Sequence, residues 1–200
     1  MTMGPQPDPG GLDSPIRTGT GATLWLTGLP SAGKSTLALA VAKQLTDRSR
    51  AVQILDGDEI RAQLTRDLGF SRQDRDENVR RIGWLARMLA GHGVFVLAPV
   101  IAPYAGARKQ VRSLHEKAGT AYIEIYVATS LEVCAARDVK GLYAAQARGE
   151  MSGLTGVDDP YEAPEKPDLV FDLADLPAAT AAEAVTAHLA TRGLLAPSPR

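Results

Sequence analysis

Gly28-Leu29-Pro30-Ser31-Ala32-Gly33-Lys34-Ser35-Thr36 carries the plainest chemistry in the chain. Glycines at positions 28 and 33, followed at once by Lys-Ser-Thr, let backbone N–H groups converge on phosphate oxygens at a helix N-terminus. Lys34 then neutralises the β- and γ-phosphates of a nucleotide, and the Ser35 hydroxyl can ligate Mg²⁺. The bland alternative is a glycine-rich turn with an exposed lysine. The apolar run Thr23 to Thr27 before the motif and the helical stripe after it argue for the phosphate-binding loop, and so for ATP handling.

A second constellation, Asp56-Gly57-Asp58, follows the apolar run Ala51 to Leu55. Where a strand ends in a doubly wound sheet, ligands bind. One of the two carboxylates can hold Mg²⁺ through water, and the other can accept the proton of an attacking hydroxyl, while Lys34 supplies the positive charge. The competing reading is an Asp-Gly turn that caps the next helix, and both can hold together. The run Val94 to Ala98 ends without an acidic residue, which favours a small-molecule kinase over a motor or switch ATPase. Arg61, Arg66, Arg75, Arg80 and Arg81 gather in sequence around Phe70 and Asn78, with Arg75 and Asn78 on one helix face. They can form an anion pocket, with Phe70 stacked on a base, or a solvated helix face.

Five short apolar runs must position these groups: Thr23 to Thr27, Ala51 to Leu55, Val94 to Ala98, Tyr122 to Val127 and Leu169 to Leu173. Alternating with stretches of helical period, they predict an α/β fold with a five-stranded, mainly parallel sheet between helices. Leu37, Ala38, Val41 and Leu45 form the buried stripe of the first helix. A longer helix starts at Ser71, whose spacing to Asp74 suits a capping box, and stops at Gly91 or Gly93. Lys140 to Pro167, rich in Gly, Pro and charge, reads as a mobile lid over the carboxyl edge of the sheet, and Ala178 to Leu189 as a closing helix. Residues 1–21 read as a disordered, proline- and glycine-rich leader and 22–200 as one kinase domain.

Composition removes other classes. Lys plus Arg total 22 against 23 Asp plus Glu, a formal charge of -1, so broad capture of nucleic acid or membrane is not expected. The single cysteine, Cys134, forms no intramolecular disulfide or thiolate cage and reads as a small buried apolar side chain. No secretory signal and no long apolar run is evident, which fits a cytoplasmic enzyme. His92, His115 and His188 show no metal-ligand spacing and read as surface or helix-end polar groups.

Seven blocks, in order, resemble the adenylylsulfate kinase family from about Thr23 to Phe171. They are Gly28 to Thr36, Asp56 to Arg61, Leu68 to Ser71, Asp76 to Arg81, Ile101 to Tyr104, Arg137 to Tyr143, and Thr155-Gly156. The resemblance implies a P-loop kinase that transfers the ATP γ-phosphate to the 3′-hydroxyl of adenosine 5′-phosphosulfate, with ATP and Mg²⁺ as cofactors. It implies that Gly28, Leu29, Pro30, Ser31, Ala32, Gly33, Lys34, Ser35, Thr36 and Arg137 bind ATP, Arg137 against the adenine. It further implies adenylylsulfate contacts from Asp58, Arg61, Phe70, Arg75, Asn78, Ile101, Lys140, Leu142 and Leu154, with Ser35 and Asp56 on the metal. It implies that Asp58 is the carboxylate nearest the accepting hydroxyl, which makes Lys34 and Asp58 the candidate catalytic pair. A homodimer and a functional link to ATP sulfurylase come with it. Three departures stand out. Ala102 replaces a serine proposed as a phosphorylated intermediate, leaving direct in-line transfer. Leu154 replaces an aromatic residue opposite Phe70, and Ala144-Ala145 replaces a lysine pair of the lid. Another nucleoside or polyol acceptor, and a non-catalytic nucleotide-binding regulator, remain as alternatives.

Overall fold

The computed structural model describes residues 20–196. Apart from Thr20 and Gly21, the expected leader lies outside the described residues. Alternation of apolar runs and helical stripes produces β1 (Ala22–Thr27), α1 (Lys34–Thr46), β2 (Val52–Ile54), α2 (Gly57–Gln63), α3 (Arg72–Gly91), β3 (Phe95–Pro99) and α4 (Ala105–Lys117). These are followed by β4 (Ala121–Val127), α5 (Leu131–Arg137), α6 (Leu142–Ala147), β5 (Leu169–Phe171) and α7 (Ala178–Thr191). The strands pair in the order β2-β3-β1-β4-β5, and every pairing is parallel, so the sheet is wholly rather than mainly parallel. β2 and β5 are shorter than their apolar runs because they lie at the sheet's edges and have a single partner each.

Side chains alternate across the sheet with the two-residue period of extended chain. Ala22, Leu24 and Leu26 face one side with Phe95, Leu97, Ile123 and Ile125, where α1 and α7 add Leu37, Val41, Val185 and Leu189. Trp25, Val96, Ala98 and Tyr122 face the other side, closed by Val79, Ile82 and Ala86 of α3 and Val111 of α4. Each fully buried Leu or Val contributes roughly 1.5–3 kcal/mol. Cys134 is buried in the first of these cores.

Local signals set the long helix. Ser71 accepts from the Asp74 N–H at 3.1 Å and donates to its carboxylate at 2.7 Å, so α3 starts where the cap was read and runs to Gly91. His115 lies in the last turn of α4, as its helix-end reading expects, but it is not at the surface, since it is 0% exposed. Its Nδ1–H donates to Val111 O at 2.8 Å, because a carbonyl can only accept, and Nε2 meets Thr23 Oγ1 at 2.9 Å. Burial pulls its pKa down to about 4. No helix among the described residues is long and apolar enough to cross a membrane.

Because all strands run the same way, their carboxyl ends share one edge. The turns after β1, β2 and β3 carry Gly28 to Gly33, Asp56 to Asp58 and Ile101 respectively.

Candidate active site

The loop after β1 is shaped by close approach and by its glycines. A Cβ on Gly28 would lie 2.4 Å from Val127 O, and Gly33, the N-cap of α1, holds φ 105° with no room beyond Leu173 Cδ1 at 3.0 Å. Side chains are excluded there, which leaves the N-terminus of α1 open to an anion. Lys34 is 8% exposed and its ammonium donates to Gly28 O at 2.9 Å and Leu29 O at 2.6 Å. Burial, with the Lys140 charge acting in the same direction, lowers its pKa to about 8, while Cys134 opposes the shift. Ser35 and Thr36 are exposed in the first turn of α1. Ser31, at φ 60°, accepts from Val139 N–H at 3.3 Å, Pro30 O accepts from Tyr143 OH at 3.0 Å, and Ala32 O accepts from Thr129 Oγ1 at 2.9 Å. The loop is therefore tied to the turn before α6.

Asp56 caps α2: its Oδ1 accepts from Asp58 N–H at 3.0 Å, and its second oxygen takes no part in the cap. The capping reading and the metal reading thus remain compatible. Asp58, exposed in the first turn of α2, is ion-paired with Lys140. Lys140 and Asp58 thus pair on the carboxyl edge, and the like charge of Lys140 is felt at Lys34 as a weak repulsion.

The arginine group divides in two. Arg61 donates to Leu68 O and Gly69 O at 3.2 Å each, and its guanidinium lies 4.4 Å from the Phe70 ring centroid; that ring is 68% exposed. Arg75 donates to Phe70 O at 2.9 Å, Thr155 Oγ1 at 2.9 Å and Gly153 O at 2.6 Å, and faces Asp159 at 3.6 Å. Asn78 Oδ1 accepts from the Thr65 hydroxyl at 2.8 Å. Arg80 and Arg81 do not join an anion pocket. Glu77 takes both, its pKa falling to about 2 through hydrogen bonds from Arg80 and then Arg81, and Arg81 also forks onto Asp67 at 2.8 Å. A carboxylate within one helical turn outcompetes a distant anion for these guanidiniums.

Ile101 is half-buried at the end of the β3 turn, its carbonyl held by Thr27 Oγ1 at 2.6 Å. Arg137 is exposed at the end of α5 and donates to Leu173 O at 2.5 Å, on the flank of Gly33. Leu142 packs against the first core. Leu154 is 3% exposed within that core, its N–H held at 2.6 Å by Asp158, so its side chain is a packing element here.

The adenylylsulphate kinase family model matches residues 20–172. The chain belongs to that family. Over 149 residues it is 57% identical to an adenylyl-sulfate kinase of Myxococcus xanthus (strain DK1622), covering 74% of this chain and 80% of that one. The solved structure of the Mycobacterium tuberculosis APS kinase CysC in complex with AMPPNP and APS superposes with a TM-score of 0.83 at 41% identity, covering 86% of this chain and 98% of that chain. A hexameric APS kinase from Thiobacillus denitrificans superposes at 0.68 and 37% identity, over 92% of this chain and 31% of that one. As an adenylylsulphate kinase family member, the chain is an ATP-dependent phosphotransferase with an alcohol group as acceptor.

Several groups that hold the segments around these residues escaped the sequence reading. Asp138 receives the N–H groups of Tyr143 and Ala144 at 3.0 Å each and so starts α6, a local Asx-type signal open to inspection. Asp158 likewise receives Gly153 and Leu154 N–H. Thr27, Arg108, Tyr161 and Glu162 meet only in three dimensions, and no spacing announces them.

Proposed function

We propose that the chain transfers the γ-phosphate of ATP to the 3′-hydroxyl of adenosine 5′-phosphosulfate, giving 3′-phosphoadenylylsulfate and ADP. The observation that carries the reading is the shared carboxyl edge, which carries both the phosphate loop with its buried lysine and the Asp58–Lys140 ion pair. In this reading Lys34 and the loop's N–H groups hold the phosphates, and Asp58 accepts the 3′-hydroxyl proton as the oxygen attacks phosphorus in line. Lys140 leaves Asp58 for the sulfated nucleotide, Arg61 and Phe70 present a stacked platform to the adenine, and Ile101, Arg75, Asn78 and Leu142 line the acceptor side. Arg137 flanks the ATP base. Residues 140–167 act as the lid.

The oxygen-only donor set suits Mg²⁺, which keeps most of its waters and takes one or two protein oxygens beside phosphate. Ser35 Oγ, exposed at the start of α1, and the uncapped oxygen of Asp56 would hold it, and bound there it neutralises phosphate charge. Leu154 enters as a packing residue beneath the adenine site. The proposal extends to a cytoplasmic homodimer supplied with adenylylsulfate by an ATP sulfurylase; support for self-association comes from the hexameric relative.

A coupled assay of the purified protein with MgATP and adenylylsulfate tests this directly. ADP release that requires adenylylsulfate, with the 3′-phosphorylated product recovered, is expected. ADP release driven instead by another hydroxyl acceptor, or ATP binding with no acceptor-dependent release, would refute it.

A further inference from the structure

The chain leaves β3 at Pro99 and enters α4 at Ala105 through a turn whose carbonyls are claimed one by one. Thr27 Oγ1 donates to Ile101 O at 2.6 Å, Arg108 Nη1 to Ala102 O at 2.6 Å, and the Glu162 N–H to Pro103 O at 2.8 Å. Ala102 sits among them at φ 43° and 3% exposed. A left-handed non-glycine residue costs about 1–2 kcal/mol and persists only where its surroundings over-determine it.

Arg108 is the centre of that constraint. It is 3% exposed, and besides Ala102 its guanidinium reaches Glu162 O at 2.5 Å and Glu124 Oε1 at 3.2 Å. One planar fork thus joins α4, β4, the turn after β3 and the Tyr161-Glu162 stretch. That stretch is fastened again from its own side chains. Tyr161 OH meets Thr27 Oγ1 at 2.9 Å while its ring stacks on Tyr126, and Glu162 Oε2 accepts from Ala105 N–H at 2.7 Å, satisfying the first turn of α4. A buried ion pair adds little net stability over apolar side chains of the same volume. Glu124 moreover has a second cation in Arg112 at 3.4 Å. What the guanidinium supplies and an apolar residue cannot is fixed spacing between two backbone segments.

We propose that Arg108 is a positioning residue for phosphoryl transfer, its guanidinium locking the Ile101–Tyr104 turn to the Tyr161-Glu162 stretch and thereby setting the acceptor side of the cleft. The inference rests on the proposed function, in which Ile101 and residues 140–167 face adenylylsulfate. Its bonds to Ala102 O and Glu162 O end on acceptor-side segments and its third contact on Glu124 of β4, so none of them reaches the phosphate loop.

Arg108→Lys keeps a charge beside Glu124 but cannot span Ala102, Glu162 and Glu124 as the fork does. The KM for adenylylsulfate is expected to rise about tenfold or more, while the KM for ATP and the Kd for AMPPNP stay within about twofold, because a displaced wall weakens only the ligand it contacts. Thr27→Val, which frees Ile101 O of the same turn, should give the same split and Thr27→Ser should keep the wild-type value; if Arg108→Lys does not fold, Arg108→Gln, which keeps an amide donor in place of the fork, is read for the same split. Equal changes in both KM values, no change in either, or activity lost only in proportion to unfolded protein would overturn the inference. Wild-type enzyme that makes no 3′-phosphorylated product would instead overturn the proposed function, and the inference with it.

Discussion

The burial of Lys34 predicts that nucleotide binding is a proton-linked event. Buried against Gly28 O and Leu29 O, its ammonium has lost water without gaining a carboxylate, and desolvation brings its pKa from 10.5 to about 8. Phosphate oxygens placed beside it favour the charged form and raise that pKa again. The sign follows: above about pH 8 the free protein carries a partly neutral lysine, the complex a charged one, so binding takes up protons. At about pH 8.5 a group with this pKa is charged in roughly one molecule in four, and binding should take up roughly three-quarters of a proton. The same linkage weakens AMPPNP affinity about tenfold between pH 7 and pH 9. Calorimetric titration of AMPPNP and Mg²⁺ into the protein at about pH 8.5, in two buffers of different ionisation enthalpy, counts the protons. Lys34→Arg, charged throughout, should show no uptake. Identical heats in the two buffers, or uptake that survives in Lys34→Arg, would refute the reasoning.

Three further outcomes are expected. Asp58→Asn keeps size but removes the proton acceptor, so the adenylylsulfate-dependent rate should fall about 10²- to 10⁴-fold, and a near-normal rate would leave Asp58 with only its helix-end contacts. In Gly28→Ala the new methyl meets the Val127 backbone oxygen at 2.4 Å, which no rotamer relieves; thermal unfolding should show a loss of about 1–3 kcal/mol together with weaker ATP binding. His115 keeps its native pKa near 4, below the 6.5 of an unfolded chain, so the unfolded state binds the proton first as pH falls. Stability should therefore drop through the window from about pH 6.5 to 4, by about 2 kcal/mol at pH 5, and urea unfolding of His115→Gln should lack that component.

Legibility followed the range of the interaction. The Ser71 cap, the apolar stripe of α1 and the phosphate loop were readable because each is closed within a few residues by fixed backbone geometry. The division of the arginines was half-readable: Glu77 lies three and four residues from Arg80 and Arg81, within one helical turn, whereas two of the Arg75 acceptors, Gly153 O and Thr155 Oγ1, lie 78 and 80 residues away. The helix-end place of His115 was legible but its burial was not, since its surroundings, Thr23 and Tyr122, come from two strands that the helix meets only after the sheet has formed. Leu154 raised a question about base stacking that its spacing could not answer, as burial is a property of the packed core.

The sequence alone determined that a phosphate-loop pattern joins β1 to α1, that carboxylates follow β2, and that these sit in a parallel α/β sheet, since loop, cap and periodicity are local consequences of residue type. Tertiary structure decided what surrounds those groups. Parallel crossovers bring Lys140 to Asp58 across 82 residues, Tyr161 to Thr27 across 134, and Arg108 to Glu162 across 54. Such contacts depend on strand order and register, which a side chain's identity does not encode on its own, whereas the phosphate-loop pattern is already written in the sequence.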